Sequence, residues 1–175
     1  YIIISHAINK KNFERNIDTQ FGGIEKKFPK EKTIFFYLNH IKMKKLNLSK
    51  KFSANYNFIL NDDLIDFRIY KKIIFQIFCE FCFLNKKIFN TKDNFYKKFY
   101  IKCSEYTLSL STVKNMILFY NLEKLIQKNK IKSIFITLEG HPFEFLVFLL
   151  KKKYKINVFA YQHALVTTSH FSMFL

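Results

Sequence analysis

Tryptophan is absent from this 175-residue chain, and glycine (3), proline (2) and cysteine (3) are scarce. So little glycine and proline excludes collagen-like repeats, low-complexity linkers and small turn-dense β folds. Three scattered cysteines exclude a disulfide-stapled secreted scaffold. Acidic residues are few as well, 13 against 30 Lys+Arg, for a formal net charge of +17. Arginine is the rarest cation, present only as Arg15 and Arg68. No P-loop, G-x-G-x-x-G, H-E-x-x-H or G-x-S-x-G motif occurs, and no internal repeat.

What is present is apolar: 49% of the residues are hydrophobic and 23 are Phe. That much apolar surface repays the entropy of ordering a chain, so a folded core is expected rather than disorder. Lys, Ile, Asn, Phe and Tyr, the residues with AT-rich codons, together supply 98 of the 175 positions. The positive charge is therefore read first as the solvated surface of a protein from an AT-rich genome. Nucleic-acid readers lean on Arg, whose planar fork fits guanine edges and phosphates. With two Arg and no cluster of exposed-aromatic recognition motifs, no specific nucleic-acid partner is expected. A positive field still suits anionic ligands, including nucleotide-sugars, and an anionic membrane surface.

The chain reads as alternating strands and helices. Ile2–Ser5, Thr33–Leu38 and Tyr56–Leu60 are strand candidates. The stretches 9–28 and 43–52 are read as loop, the first with a short helix. Asn61, followed by Asp62 and Asp63, looks like the start of a helix running to about Leu84. Its apolar second half, Ile73–Leu84, is expected to be heavily buried, with interfacial membrane contact as the alternative; charges interrupt it too often for a membrane span. Asp93–Lys102 predicts a further helical turn or two, and Ser111–Lys128 a helix. Cys79 and Cys82 have the spacing of a zinc half-site but lack a second pair, so they are read as core packing on the Ile73–Leu84 helix. No metal or cofactor is called for.

The last third is the clearest. Ser133–Leu138 is a strand, Glu139-Gly140-His141-Pro142 a turn, Phe143–Lys153 a helix and Ile156–Tyr161 a strand. These fit in about 30 residues, the size of a right-handed βαβ unit. In an open parallel sheet, ligands bind beyond the carboxyl ends of the strands. Glu139 and His141 follow one such end, and Gln162 and His163 the other. Asn39, after the Thr33–Leu38 strand, joins the same rim. Gly140 permits a sharp turn or the close approach of a ligand. Glu144 is either a ligand contact or a carboxylate that caps the turn, and the two histidines are either ligand contacts or plain turn residues.

The segment Leu138–Phe174 resembles a bacterial surface-carbohydrate biosynthesis family whose members are similar to two-domain GT-B glycosyltransferases. The likeness rests on Glu139, Gly140, Pro142, Phe143 and Glu144, matching an E-G-x-P-W-E turn, and on Gln162, His163 and Ala164, matching a Q-H-[SA] loop. Phe143 stands where the family has Trp. The resemblance implies an α/β fold with a Rossmann-like parallel sheet flanked by helices, like the N-terminal domain of a GT-B enzyme. It implies transfer of a sugar from a nucleotide donor, held by a domain outside this chain, to a glycan or lipid-linked acceptor during capsule or lipopolysaccharide synthesis. Glu139 or His141 is the expected base, with Gly140, Glu144, Gln162, His163 and Asn39 as substrate contacts.

The first residues, Tyr1-Ile2-Ile3-Ile4, already look like strand, and the chain stops at Phe171–Leu175 without a tail. With no linker in view, residues 1–175 are expected to be a single domain, a fragment of a longer enzyme that is cytoplasmic or peripheral at the inner membrane. A non-catalytic α/β binding or membrane-surface scaffold is the alternative.

Overall fold

The first strand, β1 (Ile2–Ala7), carries Ile2, Ile3 and Ile4, all with no solvent exposure. A strand apolar at successive positions has both faces covered, the condition of an inner strand in a parallel sheet. The structure, a computed structural model, describes residues 1–7, 21, 27–39, 57–64 and 66–161. Four further strands are β2 (Ile34–Asn39), β3 (Asn57–Leu60), β4 (Ser133–Thr137) and β5 (Asn157–Tyr161). All pairs are parallel, and the order across the sheet is β3-β2-β1-β4-β5. The helices are α1 (Phe67–Asn90), α2 (Asn94–Thr107), α3 (Leu110–Asn129) and α4 (Pro142–Tyr154). This is a Rossmann-like α/β fold, a parallel sheet flanked by helices, as the sequence leads one to expect.

The expected strands fall within two residues of those observed. The expected loops at 9–28 and 43–52 lie largely or wholly outside the described residues. Two compact units make up the chain: Tyr1–Leu64 with Asn121–Leu175, and Ile65–Tyr120. One boundary of the division falls within α3, where Tyr120 and Asn121 are consecutive residues.

The first unit holds the sheet. On one face Ile3, Phe35, Tyr37, Phe58 and Leu60 pack with Phe21 and Phe28. Ile134 and Ile136 of β4 and Val147 and Leu150 of α4 are fully buried. Side chains of this size contribute about 1.5–3 kcal/mol each on burial. At the carboxyl end of β3, Asn121 Nδ2 donates to both the carbonyl and the side-chain oxygen of Asn61, at 2.9 Å each.

The second unit is helical, and here four expectations are corrected. Asn61–Leu64 is a separate 3-10 turn, and α1 begins later. Its cap is Asp66, whose carboxylate accepts from the main-chain N–H of Arg68 (2.9 Å) and Ile69 (3.0 Å). A cap must leave the helical region while its side chain reaches back, and Asp66 at φ −128°, ψ 162° does so. Nor is α1 heavily buried: Ile69 and Ile73 alone are fully covered, packed with Ile117 and Tyr120 of α3. Tyr120 Oη donates to Gln76 across the same contact. Cys79 and Cys82 are exposed rather than core residues. An apolar side chain counts toward a core only if a neighbouring element covers it, and within this unit α2 and α3 cover one side of α1. Asp93 caps α2, which runs for 14 residues rather than a turn or two.

Candidate functional site

The strand order reverses between β1 and β4, since the chain builds outward to β2 and β3 on one side of β1 and returns to place β4 and β5 on the other. At such a switch point the connections leave in opposite directions and open a crevice beyond the strand carboxyl ends. The Glu139-Gly140-His141 turn follows β4 directly, so it stands at this crevice. The pairing of β4 with β5 brings Thr137 opposite Tyr161, and the Leu138 N–H donates to the Tyr161 carbonyl at 3.0 Å.

The turn is built from its own residues. Gly140 has φ 81°, a left-handed conformation that glycine adopts without steric cost. His141 is the cap of α4, with Pro142 as the first helical residue, where its missing N–H costs nothing. Glu144 follows in the first turn and is only 2% exposed. Its Oε1 accepts from the Glu139 N–H at 2.7 Å and its Oε2 from the Gly140 N–H at 3.0 Å. A carboxylate here also complements the positive end of the helix dipole. Of the two parts the sequence leaves open for Glu144, the geometry supplies the capping one.

With the backbone so clamped, the two remaining side chains meet. His141 Nε2 lies 3.3 Å from Glu139 Oε2, and the two side chains are 45% and 23% exposed. The imidazole stacks at 5.7 Å on the ring of Phe143, which is itself buried. A carboxylate facing one imidazole nitrogen fixes the ring's orientation.

Two groups that sequence reasoning passed over are also here. Ser5 Oγ and Thr137 Oγ1 are buried with no hydrogen-bond partner among the described residues. They sit near the carboxyl ends of β1 and β4, the strands that flank the switch point. The signal in the sequence was a hydroxyl interrupting each apolar run. Among the expected contacts, Asn39 ends β2, two strand spacings or about 10 Å from β4; its side chain lies outside the described residues. Gln162 and His163 lie outside them entirely. Among the described residues there is no group of three or more His, Cys, Asp or Glu placed to hold a metal ion, and no helix is long and apolar enough to cross a membrane.

Comparison with protein-family models, with curated proteins and with solved structures finds no match to this chain.

Proposed function

We propose that this chain is the acceptor-side part of a GT-B-like glycosyltransferase of surface polysaccharide synthesis. The observation that carries the reading is the Glu139–His141 pair, partly exposed at the switch point of a parallel sheet and held there by the buried Glu144. Sugar transfer needs a base close to an acceptor hydroxyl, and a carboxylate–imidazole pair is such a base. In the proposed reaction the hydroxyl proton passes to His141 or Glu139. The freed oxygen forms a bond to the anomeric carbon of the donor. The bond from that carbon to the donor phosphate breaks, and the nucleotide leaves with the electron pair, inverting the centre. The donor is held by a second domain outside this chain. The reaction belongs at the cytoplasmic face of the inner membrane, where nucleotide-sugars reach glycan or lipid-linked acceptors, and the positive net charge favours both.

The test is sugar transfer by the full-length protein that carries this chain, assayed with a panel of nucleotide-sugars and a membrane-lipid extract. Glu139→Gln and His141→Ala are expected to lower kcat by roughly a hundredfold or more, the usual contribution of a general base. An active wild type with near-full activity in both variants rejects the assignment of the base. Absence of transfer from every donor rejects the enzyme reading itself.

A further inference from the structure

Among the described residues, fourteen of the twenty exposed large apolar side chains lie between Phe67 and Leu110. Several of them line up on one helix. Along α1, Phe67, Ile74, Phe78, Cys82 and Phe89 follow at steps of seven, four, four and seven, which is one stripe of a helix. Phe67 is 72% exposed, Phe78 63% and Phe89 86%. This stripe is distinct from the buried one of Ile69 and Ile73, so α1 has two apolar faces and only one is packed. At 24 residues the helix is about 36 Å long.

α1 carries five cations, Arg68, Lys71, Lys72, Lys86 and Lys87, against one carboxylate, Glu80. Arg68, Lys71 and Lys86 fall on the open stripe or beside it, and Lys71 Nζ lies 4.9 Å from the centre of the Phe67 ring. Lys72 lies over the Tyr120 ring at the packed contact, and Lys87 comes seven residues after Glu80, on the same side as it. The open stripe is therefore flanked by cations and carries no carboxylate of α1. α2 also exposes Phe95, Phe99 and Tyr106 beside Lys98 and Lys102, the second of these paired with Glu105 at 2.6 Å.

We infer that the exposed stripe of α1 docks on the surface of an anionic lipid bilayer, with its Phe rings in the headgroup–acyl boundary and its cations on lipid phosphates. A helix with an aromatic face flanked by basic residues lies in the interface with that face about 5–10 Å deep. Each cation near an anionic surface adds to the attraction within a Debye length. A self-interface is the less fitting occupant, because the centres of protein–protein contacts are depleted of lysine. Among the described residues, no helix is long and apolar enough for the alternative of spanning the bilayer.

The absence of Trp from the chain supplies a clean probe, since Phe78→Trp introduces the only indole. With vesicles of phosphatidylcholine containing about a third phosphatidylglycerol, its emission is expected to shift to the blue and the protein to co-sediment. Neutral vesicles are expected to bind roughly tenfold more weakly or worse, and salt raised to about 1 M, where charges reach only about 3 Å, to reduce binding to anionic ones. Lys71→Glu with Lys86→Glu, and separately Phe67→Ser with Phe89→Ser, are each expected to cut the partition coefficient roughly tenfold or more, with helical circular dichroism unchanged. Phe145→Ser with Phe148→Ser, exposed on α4 instead, is the control and is expected to leave it unchanged. Equal binding to neutral vesicles, an equal loss in the control, or no vesicle binding overturns the inference. So does self-association that the α1 variants abolish while vesicles are ignored. None of these readouts requires sugar transfer, so the outcome stands apart from that of the proposed reaction.

Discussion

At the scale of single residues, Glu144 has the most to hold. It is buried, and both of its oxygens accept main-chain N–H groups of the turn that carries the proposed base. Hydrogen bonds to a charged group are worth about 1.5–3 kcal/mol, and a donor left without a partner away from water costs about 1–3 kcal/mol. Glu144→Ala is therefore expected to destabilise the chain by about 2–4 kcal/mol in urea unfolding. Glu144→Gln keeps one acceptor oxygen and is expected to cost about half as much. In the sugar-transfer assay both variants are expected to lower kcat, because His141 and Glu139 lose their fixed separation while their chemistry is intact. The position of this turn was legible in the sequence: an apolar run, a glycine, a proline and an apolar helix in succession. The division of labour between two glutamates five residues apart was not. Glu139 and Glu144 are both acidic residues near a helix start, and only distances show that one clamps the backbone while the other faces an imidazole.

Among the elements, the ends of α3 and α4 carry the mark of a glycine-poor chain. Lys130 and Lys155 take φ 49° and 52°, the left-handed conformation that usually falls to glycine after a helix. Across the first, the Ile131 N–H reaches the Ile126 carbonyl at 3.3 Å, closing the helix. The left-handed conformation costs a side-chain-bearing residue about 1–2 kcal/mol, and glycine returns about 0.4–1 kcal/mol of that as unfolded-state entropy. Lys130→Gly and Lys155→Gly are each expected to stabilise by about 0.5–1 kcal/mol, read as a higher urea midpoint at unchanged slope. The same two helices are joined by Glu123, whose Oε1 accepts from Lys153 Nζ (2.6 Å) and Tyr154 Oη (2.9 Å). The hydrogen bond that Lys153 donates to Glu123 raises the pKa of the Lys153 ammonium, and burial followed by the same carboxylate raises that of the Tyr154 phenol. Both groups are thus better protonated when folded, so their stabilisation is complete below about pH 10, their unfolded range, and fades as pH climbs through the folded values. Glu123→Gln is expected to flatten the fall in unfolding free energy above about pH 10 relative to the wild type. Strands and the β4-to-β5 unit were readable because β-branched and aromatic runs bounded by polar residues have few other uses. The start of α1 was not, because Asn61-Asp62-Asp63 offers the same capping chemistry as Asp66 five residues later. The open face of α1 was not either, since periodicity marks an apolar stripe without saying whether anything covers it.

For the whole molecule, the two units differ in what holds them. In the sheet unit, β1 and β4 are covered on both faces, with Ile2, Ile3, Ile4, Ile134 and Ile136 at or near zero exposure. In the helical unit, α1 buries two of its 24 residues fully and α2 only Ser104. A helix without an extensive packed face depends on its caps and on hydrogen bonds open to water, and isolated helices of this kind are marginal. Local opening free energy follows such differences, from near zero in poorly covered elements to the global value in core strands. Native-state amide exchange is therefore expected to order the elements: α1 and α2 exchange first, and β1 and β4 last, at the rate of global unfolding. Asp66→Ala removes the cap of α1, worth about 1 kcal/mol. It is expected to speed exchange in α1 roughly fivefold while β1 and β4 keep their rates. Equal acceleration in the strands means that the two units open as one. If α1 is as protected as β4 in the wild type, the helical unit draws its stability from contacts beyond those of its described residues.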